Sequence, residues 1–107
     1  MCLYSGSFFK NPIISAVQLY ELKENFPGAP SYKISDNEFK VPAGWLIEKA
    51  GFKGKRFDNY GVHNKQALVL VNYGGAKGTA IYELAQLIQK TIERIFNIKI
   101  DTEVNII

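Results

Sequence analysis

Few side chains in this 107-residue sequence invite chemistry. Ser7 and Asn11 stand four apart in the run Gly6-Ser7-Phe8-Phe9-Lys10-Asn11-Pro12. On a strand they share one side with Phe9 between them, while Phe8 and Lys10 face the other way. Such a strand could offer a hydroxyl and an amide to a ligand; the same pattern also describes a strand with incidental polar residues. His63 is the sole histidine. No Ser-His-Asp set accompanies it, and it reads as a loop residue. Glu103, between Thr102 and Val104, could be a solvated edge charge. The stretch Gly74-Gly75-Ala76-Lys77-Gly78-Thr79 lacks the G-x-x-x-x-G-K-[ST] spacing of a phosphate loop and reads as a turn and helix start. No set of nitrogen, sulfur or carboxylate ligands has metal-site spacing. Cys2 is the only cysteine, which excludes an internal disulfide and points to a reduced compartment.

The elements that must position these groups are an alternation of short strands and three helices. Gly6 to Asn11 reads as extended, closed by Pro12. Ser15 and Gln18 form an S-x-x-Q capping box, so a helix is expected from about Ala16 to Asn25. The Pro27-Gly28-Ala29-Pro30 cluster ends it. Ser31 to Ile34 and Glu38 to Val41 are expected as short strands about an Asp36-Asn37 turn. Pro42 opens a second helix over Ala43 to Ala50, with Trp45, Leu46 and Ala50 on one side and Gly51 as its C′ residue. Trp45 is expected in the core. Lys53 to Asn64 is loop with room for a short strand. Ala67 to Val71 is a continuous apolar run of strand length, expected to be covered on both faces. Ile81, Leu84, Ala85, Ile88, Ile92 and Ile95 make one apolar stripe on a third helix, begun near Thr79 and ended at Asn97. Ile98 to Ile100 and Val104 to Ile107 have strand character. The expected class is α+β: a small mixed or antiparallel sheet with about three helices packed on one face.

Composition sets the scale. The length is that of one domain, and 47% hydrophobic with 21% charged residues is ordinary globular composition. The net charge of +3 is mild and suits an anionic ligand such as a diphosphate. No basic stripe of the kind that follows nucleic acid is present. No apolar run approaches the ~20 residues that span a bilayer, and the first residues do not resemble a signal peptide. A cytoplasmic protein is therefore expected, with neither membrane nor nucleic acid as partner. The start runs almost directly into a patterned segment, which hints that Met1 opens inside a longer protein.

Taken together, the motifs are more specific than any one of them. Gly6-Ser7-Phe8-Phe9-Lys10-Asn11-Pro12 resembles the G-S-F-F-K-N-P signature of the UDP-N-acetylenolpyruvoylglucosamine reductase family. Ala43-Gly44-Trp45-Leu46-Ile47 resembles its A-G-W-L-I segment, Phe52-Lys53-Gly54 its L-K-G, and Val62-His63 with Gln66 to Asn72 its V-H-x-x-Q-A-L-V-L-x-N. Glu103-Val104 resembles the start of its E-V-R. The resemblance runs from Gly6 to the end and covers the last third or so of the family's length, its C-terminal substrate-binding domain. Residues 1–107 are accordingly expected to be that one domain, with the flavin-binding domains outside it.

The resemblance implies a role in an FAD- and NADPH-dependent reduction of UDP-N-acetylglucosamine enolpyruvate to UDP-N-acetylmuramate, a step of peptidoglycan synthesis. Hydride addition leaves electron density beside a carboxylate, so an enolate must be stabilised and protonated. Ser7 matches the family's proton donor. Glu103 matches its late glutamate, which would orient or stabilise the enolic intermediate; its protonation state stays open. Asn11, Tyr32, Lys53 and Gln66 match positions that contact the nucleotide and diphosphate. No flavin is expected on this chain, which alone should be inactive. Two departures stand out: Asn105 replaces the arginine of E-V-R, and Leu3-Tyr4-Ser5 replaces a G-N-A lead-in. The alternative reading is a stand-alone UDP-sugar- or nucleotide-binding module without redox activity; a purely structural domain is the third. The signature favours the first.

Overall fold

A computed structural model describes residues 2–3, 9–57, 60–62, 70–72 and 78–102. The class is α+β. The strands divide between two small antiparallel sheets rather than forming one. The first sheet has the order β1-β7-β6-β5, from Cys2–Leu3 (β1), Arg56–Phe57 (β5), Tyr60–Val62 (β6) and Leu70–Asn72 (β7). The second is β2-β4-β3, from Ile13–Ile14 (β2), Tyr32–Ser35 (β3) and Glu38–Lys40 (β4). The helices are α1 (Ala16–Asn25), α2 (Ala43–Lys49) and α3 (Gly78–Phe96).

Helix α1 has the bounds that its capping box predicts. The Ser15 hydroxyl accepts from the Gln18 N–H at 3.2 Å, and Gln18 Oε1 accepts from the Ser15 N–H at 3.0 Å. Two orphan amides are thereby satisfied by two side chains. Asn37, in the β3–β4 turn, accepts from the Ala16 N–H at 3.0 Å and ties the helix start to the second sheet.

Helix α3 is the spine of the core. Ile81, Leu84, Ala85, Ile88 and Ile92 are all buried along its inner side, as their spacing predicts. Ile95 departs from the expectation at 42% exposed. In the last turn the cover lies on the α1–α2 side instead, where Phe96 meets Phe26 (ring centroids 5.0 Å) and Trp45 (6.0 Å). Trp45 is therefore half-buried at the margin of the core, with Phe26 edge-on to it at 6.1 Å.

Helix α2 starts at Ala43 as expected, with Pro42 as its N-cap at an extended ψ of 121°, and it closes one residue early, at Lys49, with Ala50 as C-cap. Beyond it the Phe52 N–H reaches the Ile47 carbonyl (3.2 Å) and the Gly51 N–H reaches that of Glu48 (3.0 Å). That pair of bonds is a Schellman motif, and Gly51 supplies its left-handed residue at φ +93°. Phe52 and Ile47, the apolar pair that accompanies such a motif, are both buried.

Ile98 and Ile100 are buried on either side of exposed Lys99, the alternation of a strand, yet this segment forms none. The Ile100 carbonyl takes its hydrogen bond from the Gln89 side chain (2.8 Å), so α3 replaces the missing neighbour strand. Residues expected as strand at 67–69 and 104–107 lie outside the described ones.

Candidate functional site

The signature segment and the C-terminal segment meet. Phe9 and Thr102 form an isolated antiparallel bridge, and the Lys10 N–H donates to the Asp101 carbonyl at 2.8 Å. Some ninety residues of sequence separate these partners, and what joins them is local. Phe9 is anchored in the core at 1% exposed, Ile100 is buried, and Gln89 holds the Ile100 carbonyl to α3. Gln89 had no role in the sequence reading. Its signal was there: it is a polar residue inside the α3 repeat, four after Ala85 and three before Ile92.

Ser7, Gln66 and Glu103 lie outside the described residues, as does His63. The structure thus describes the flanks of Ser7 and Glu103, through Phe9 and Thr102, and three other predicted positions directly.

Asn11 has a structural task. Its Oδ1 accepts the Ala43 N–H at 2.9 Å. Pro42 makes no side-chain cap bond, so Asn11 caps α2 from a distant part of the chain. This fixes the orientation of the amide. With Oδ1 occupied, the Nδ2 group is the end left for a ligand, and it bonds to no other described residue.

Lys53 follows the Schellman motif at the other end of the same helix. Its backbone is fixed twice, by that motif and by the turn that the Lys55 N–H closes on the Phe52 carbonyl at 2.9 Å, with Gly54 at φ +75°. Its ammonium donates to Glu48 Oε1 at 3.2 Å. Asn11 and Lys53 therefore mark the two ends of a helix roughly 10 Å long at 1.5 Å per residue.

Tyr32 is 62% exposed on the outer strand of the second sheet. Its partner across the ladder is Lys40, and Lys40 is in turn paired with Ile13. Two strand spacings put Tyr32 about 10 Å from Ile13, which follows Asn11 by two residues. Ile13, Lys40 and Tyr32 form one exposed row. The predicted contacts Asn11, Tyr32 and Lys53 are thus spread over a surface rather than gathered at a point, with a lysine beside Tyr32 and another at the α2 end. An extended anionic ligand suits that spread better than a compact one.

Gly61 had no role in the sequence reading either. A β-carbon there would stand 2.5 Å from the Lys55 carbonyl oxygen and 2.9 Å from the Arg56 α-carbon. The β5–β6 hairpin, which follows the Lys53 turn, closes only because residue 61 has no side chain. Among the described residues no group of three or more His, Cys, Asp or Glu could hold a metal, and no helix is long and apolar enough to cross a membrane.

Comparison with known proteins adds the rest. Residues 4–107 match the family model described as "UDP-N-acetylenolpyruvoylglucosamine reductase, C-terminal domain". The chain is 55% identical over 103 residues to the UDP-N-acetylenolpyruvoylglucosamine reductase of Flavobacterium johnsoniae, which covers 96% of this chain and 31% of the relative. It is 48% identical over 103 residues to the enzyme of that name from Amoebophilus asiaticus, covering 96% and 30%. With the one from Pseudomonas fluorescens it shares 50% over 101 residues, covering 94% and 30%. The chain spans about a third of the length of these relatives.

Proposed function

Because this chain belongs to the family of the UDP-N-acetylenolpyruvoylglucosamine reductase C-terminal domain, we propose that it is the substrate-binding part of an FAD- and NADPH-dependent reductase that makes UDP-N-acetylmuramate for peptidoglycan in the cytoplasm. In this reading the 107 residues are one domain, and the flavin-binding domains belong to further polypeptide of the same enzyme. Flavin supplies the hydride when bound there. The depressions described on this chain are open, such as one of about 440 Å³ lined by Trp45, Glu48 and Lys49. They do not fit an isoalloxazine ring, which takes an enclosed apolar slot, and no residue here is assigned to it.

The task of this chain is to hold the UDP-sugar and to deliver a proton. Hydride arriving at the enolpyruvyl methylene moves the double-bond pair to the carbon beside the carboxylate. Ser7 gives its hydroxyl proton to that carbon and recovers one from water. A serine hydroxyl is a weak acid, so it must be held against the developing carbanion, where the transfer runs downhill. Glu103 stands beside the same enolate, as a donor if protonated or as the partner of an arginine if ionised. The Nδ2 hydrogens of Asn11 and the amide of Gln66 donate to ligand oxygens, Lys53 meets the diphosphate, and Tyr32 packs or hydrogen-bonds at the nucleotide.

The observation that carries this reading is the Phe9–Thr102 bridge. In sequence Ser7 is two residues from one partner and Glu103 one residue from the other, which supports placing both at one ligand. The bridge also sets a condition. In an unbroken antiparallel ladder Ser7 would share the side of Phe9 and Thr102, and Glu103 would take the opposite side. Convergence therefore requires a bulge or the end of the ladder between the bridge and these residues, a device that recurs next to active sites. A structure of the whole reductase with UDP-sugar bound tests this. The proposal expects the Ser7 hydroxyl and the Glu103 carboxylate on one side of the strands, both against the enolpyruvyl group. Side chains directed to opposite sides would overturn it.

A further inference from the structure

We propose that Glu48 is a positioning residue for Lys53. The inference rests on the reading above, in which the Lys53 ammonium meets the diphosphate of the ligand. A lysine head group on a flexible four-carbon stem is a diffuse charge unless something fixes it. The backbone of Lys53 is already fixed, between the Schellman motif that ends α2 and the turn closed by Lys55. What remains free is the side chain, and Glu48 holds it. The Glu48 carboxylate accepts from Lys53 Nζ at 3.2 Å, and the Glu48 carbonyl accepts the Gly51 N–H at 3.0 Å. One residue thus grips both the bend that aims Lys53 and the ammonium itself.

The burial of the pair fits this role. The Lys53 side chain is 34% exposed and that of Glu48 55% exposed. An ion pair so wet adds little to stability, but it restricts where the ammonium can be. An ammonium has three hydrogens. One goes to Glu48, and two remain for phosphate oxygens. The carboxylate is also a negative charge near the anion it helps to bind. The hydrogen bond and the charge therefore pull in opposite directions, and a neutral acceptor of the same length separates them.

The experiment is a kinetic cycle in the reductase that carries this domain, with UDP-N-acetylglucosamine enolpyruvate as the varied substrate. Glu48→Ala is expected to raise KM about two- to fivefold, the range an exposed pair supports, with kcat and the unfolding temperature unchanged. Glu48→Gln keeps the acceptor and is expected to stay within about twofold of wild type on the same grounds. With Lys53→Met, which should itself raise KM, adding Glu48→Ala should change nothing further. The inference is overturned if Glu48→Ala leaves KM unchanged, or lowers it, which would mean that Glu48 competes with the diphosphate. It is overturned as well if Glu48→Ala raises KM equally in the Lys53→Met background, or if only the unfolding temperature moves. If Lys53→Met leaves KM at the wild-type value, the assignment of Lys53 has failed, and the Glu48 inference falls with it by a distinguishable route.

Discussion

Replacing Asn11 separates its two tasks. Its Oδ1 satisfies the Ala43 N–H at 2.9 Å, and Ala43 is fully buried. Truncation to alanine removes the cap of α2, worth about 1 kcal/mol. It also strands a buried donor, which carries a penalty of ~1–3 kcal/mol. These are two views of one loss, so about 2 kcal/mol is the expected total. For a domain of this size that corresponds to a fall of roughly 10 °C in Tm. Asn11→Asp keeps an oxygen for Ala43 and adds a negative charge at a helix start, which is favourable by ~0.3–1 kcal/mol. Its Tm should exceed that of Asn11→Ala by the whole of this difference and stay near wild type. The aspartate cannot donate, however, and faces ligand oxygens with a charge. Binding of the UDP-sugar should therefore weaken at least about tenfold, the equivalent of 1.4 kcal/mol, in line with one lost hydrogen bond to a charged group. Thermal unfolding followed by circular dichroism and calorimetric titration read the two effects. An Asn11→Asp protein as unstable as Asn11→Ala would refute the capping argument; one that binds as wild type would refute the ligand argument.

Three glycines give a graded series. Gly61→Ala should destabilise by ~1–3 kcal/mol, because the new methyl meets backbone rather than a movable side chain. Gly51→Ala, at φ +93° with nothing within 4 Å, should cost about 1 kcal/mol from backbone strain alone. Gly28→Ala has open space and no positive φ, so it should be close to neutral by urea denaturation. In the core, Ile92→Ala should cost ~2–5 kcal/mol, whereas Ile95→Ala, on the half-exposed side of the same helix, should cost under about 1 kcal/mol. Equal losses at the two isoleucines would contradict the burial pattern of α3.

The parts of the fold legible in the sequence were those written in short-range chemistry. The α1 bounds followed from Ser15 and Gln18, whose reciprocal bonds are formed, and the α3 stripe from its three- and four-residue spacing. Gly51 was legible as a helix stop for the same reason. Contacts set by distant neighbours were not. No local pattern marks the two-residue β1, which exists only because β7 lies beside it. The Ile98–Ile100 alternation gave a strand signal, but the neighbour it found was the Gln89 amide. Nothing local to Pro42 shows what satisfies the first amide of α2: the acceptor comes from Asn11, 32 residues earlier in sequence than Ala43. The site was read almost wholly from motif resemblance. The types of Asn11, Tyr32 and Lys53 are compatible with many roles, and what the structure adds is the capping bond, the fixed lysine and the meeting of the two terminal segments.

The central claim is that the Ser7 hydroxyl gives the proton that completes reduction. Single-turnover kinetics of the Ser7→Ala reductase test it most directly, by following NADPH oxidation and substrate reduction separately. General acid catalysis contributes about 10²–10⁴-fold. Substrate reduction should therefore slow by at least about a hundredfold while NADPH oxidation keeps its wild-type rate. Substrate reduction at the wild-type rate in the alanine protein would contradict the account.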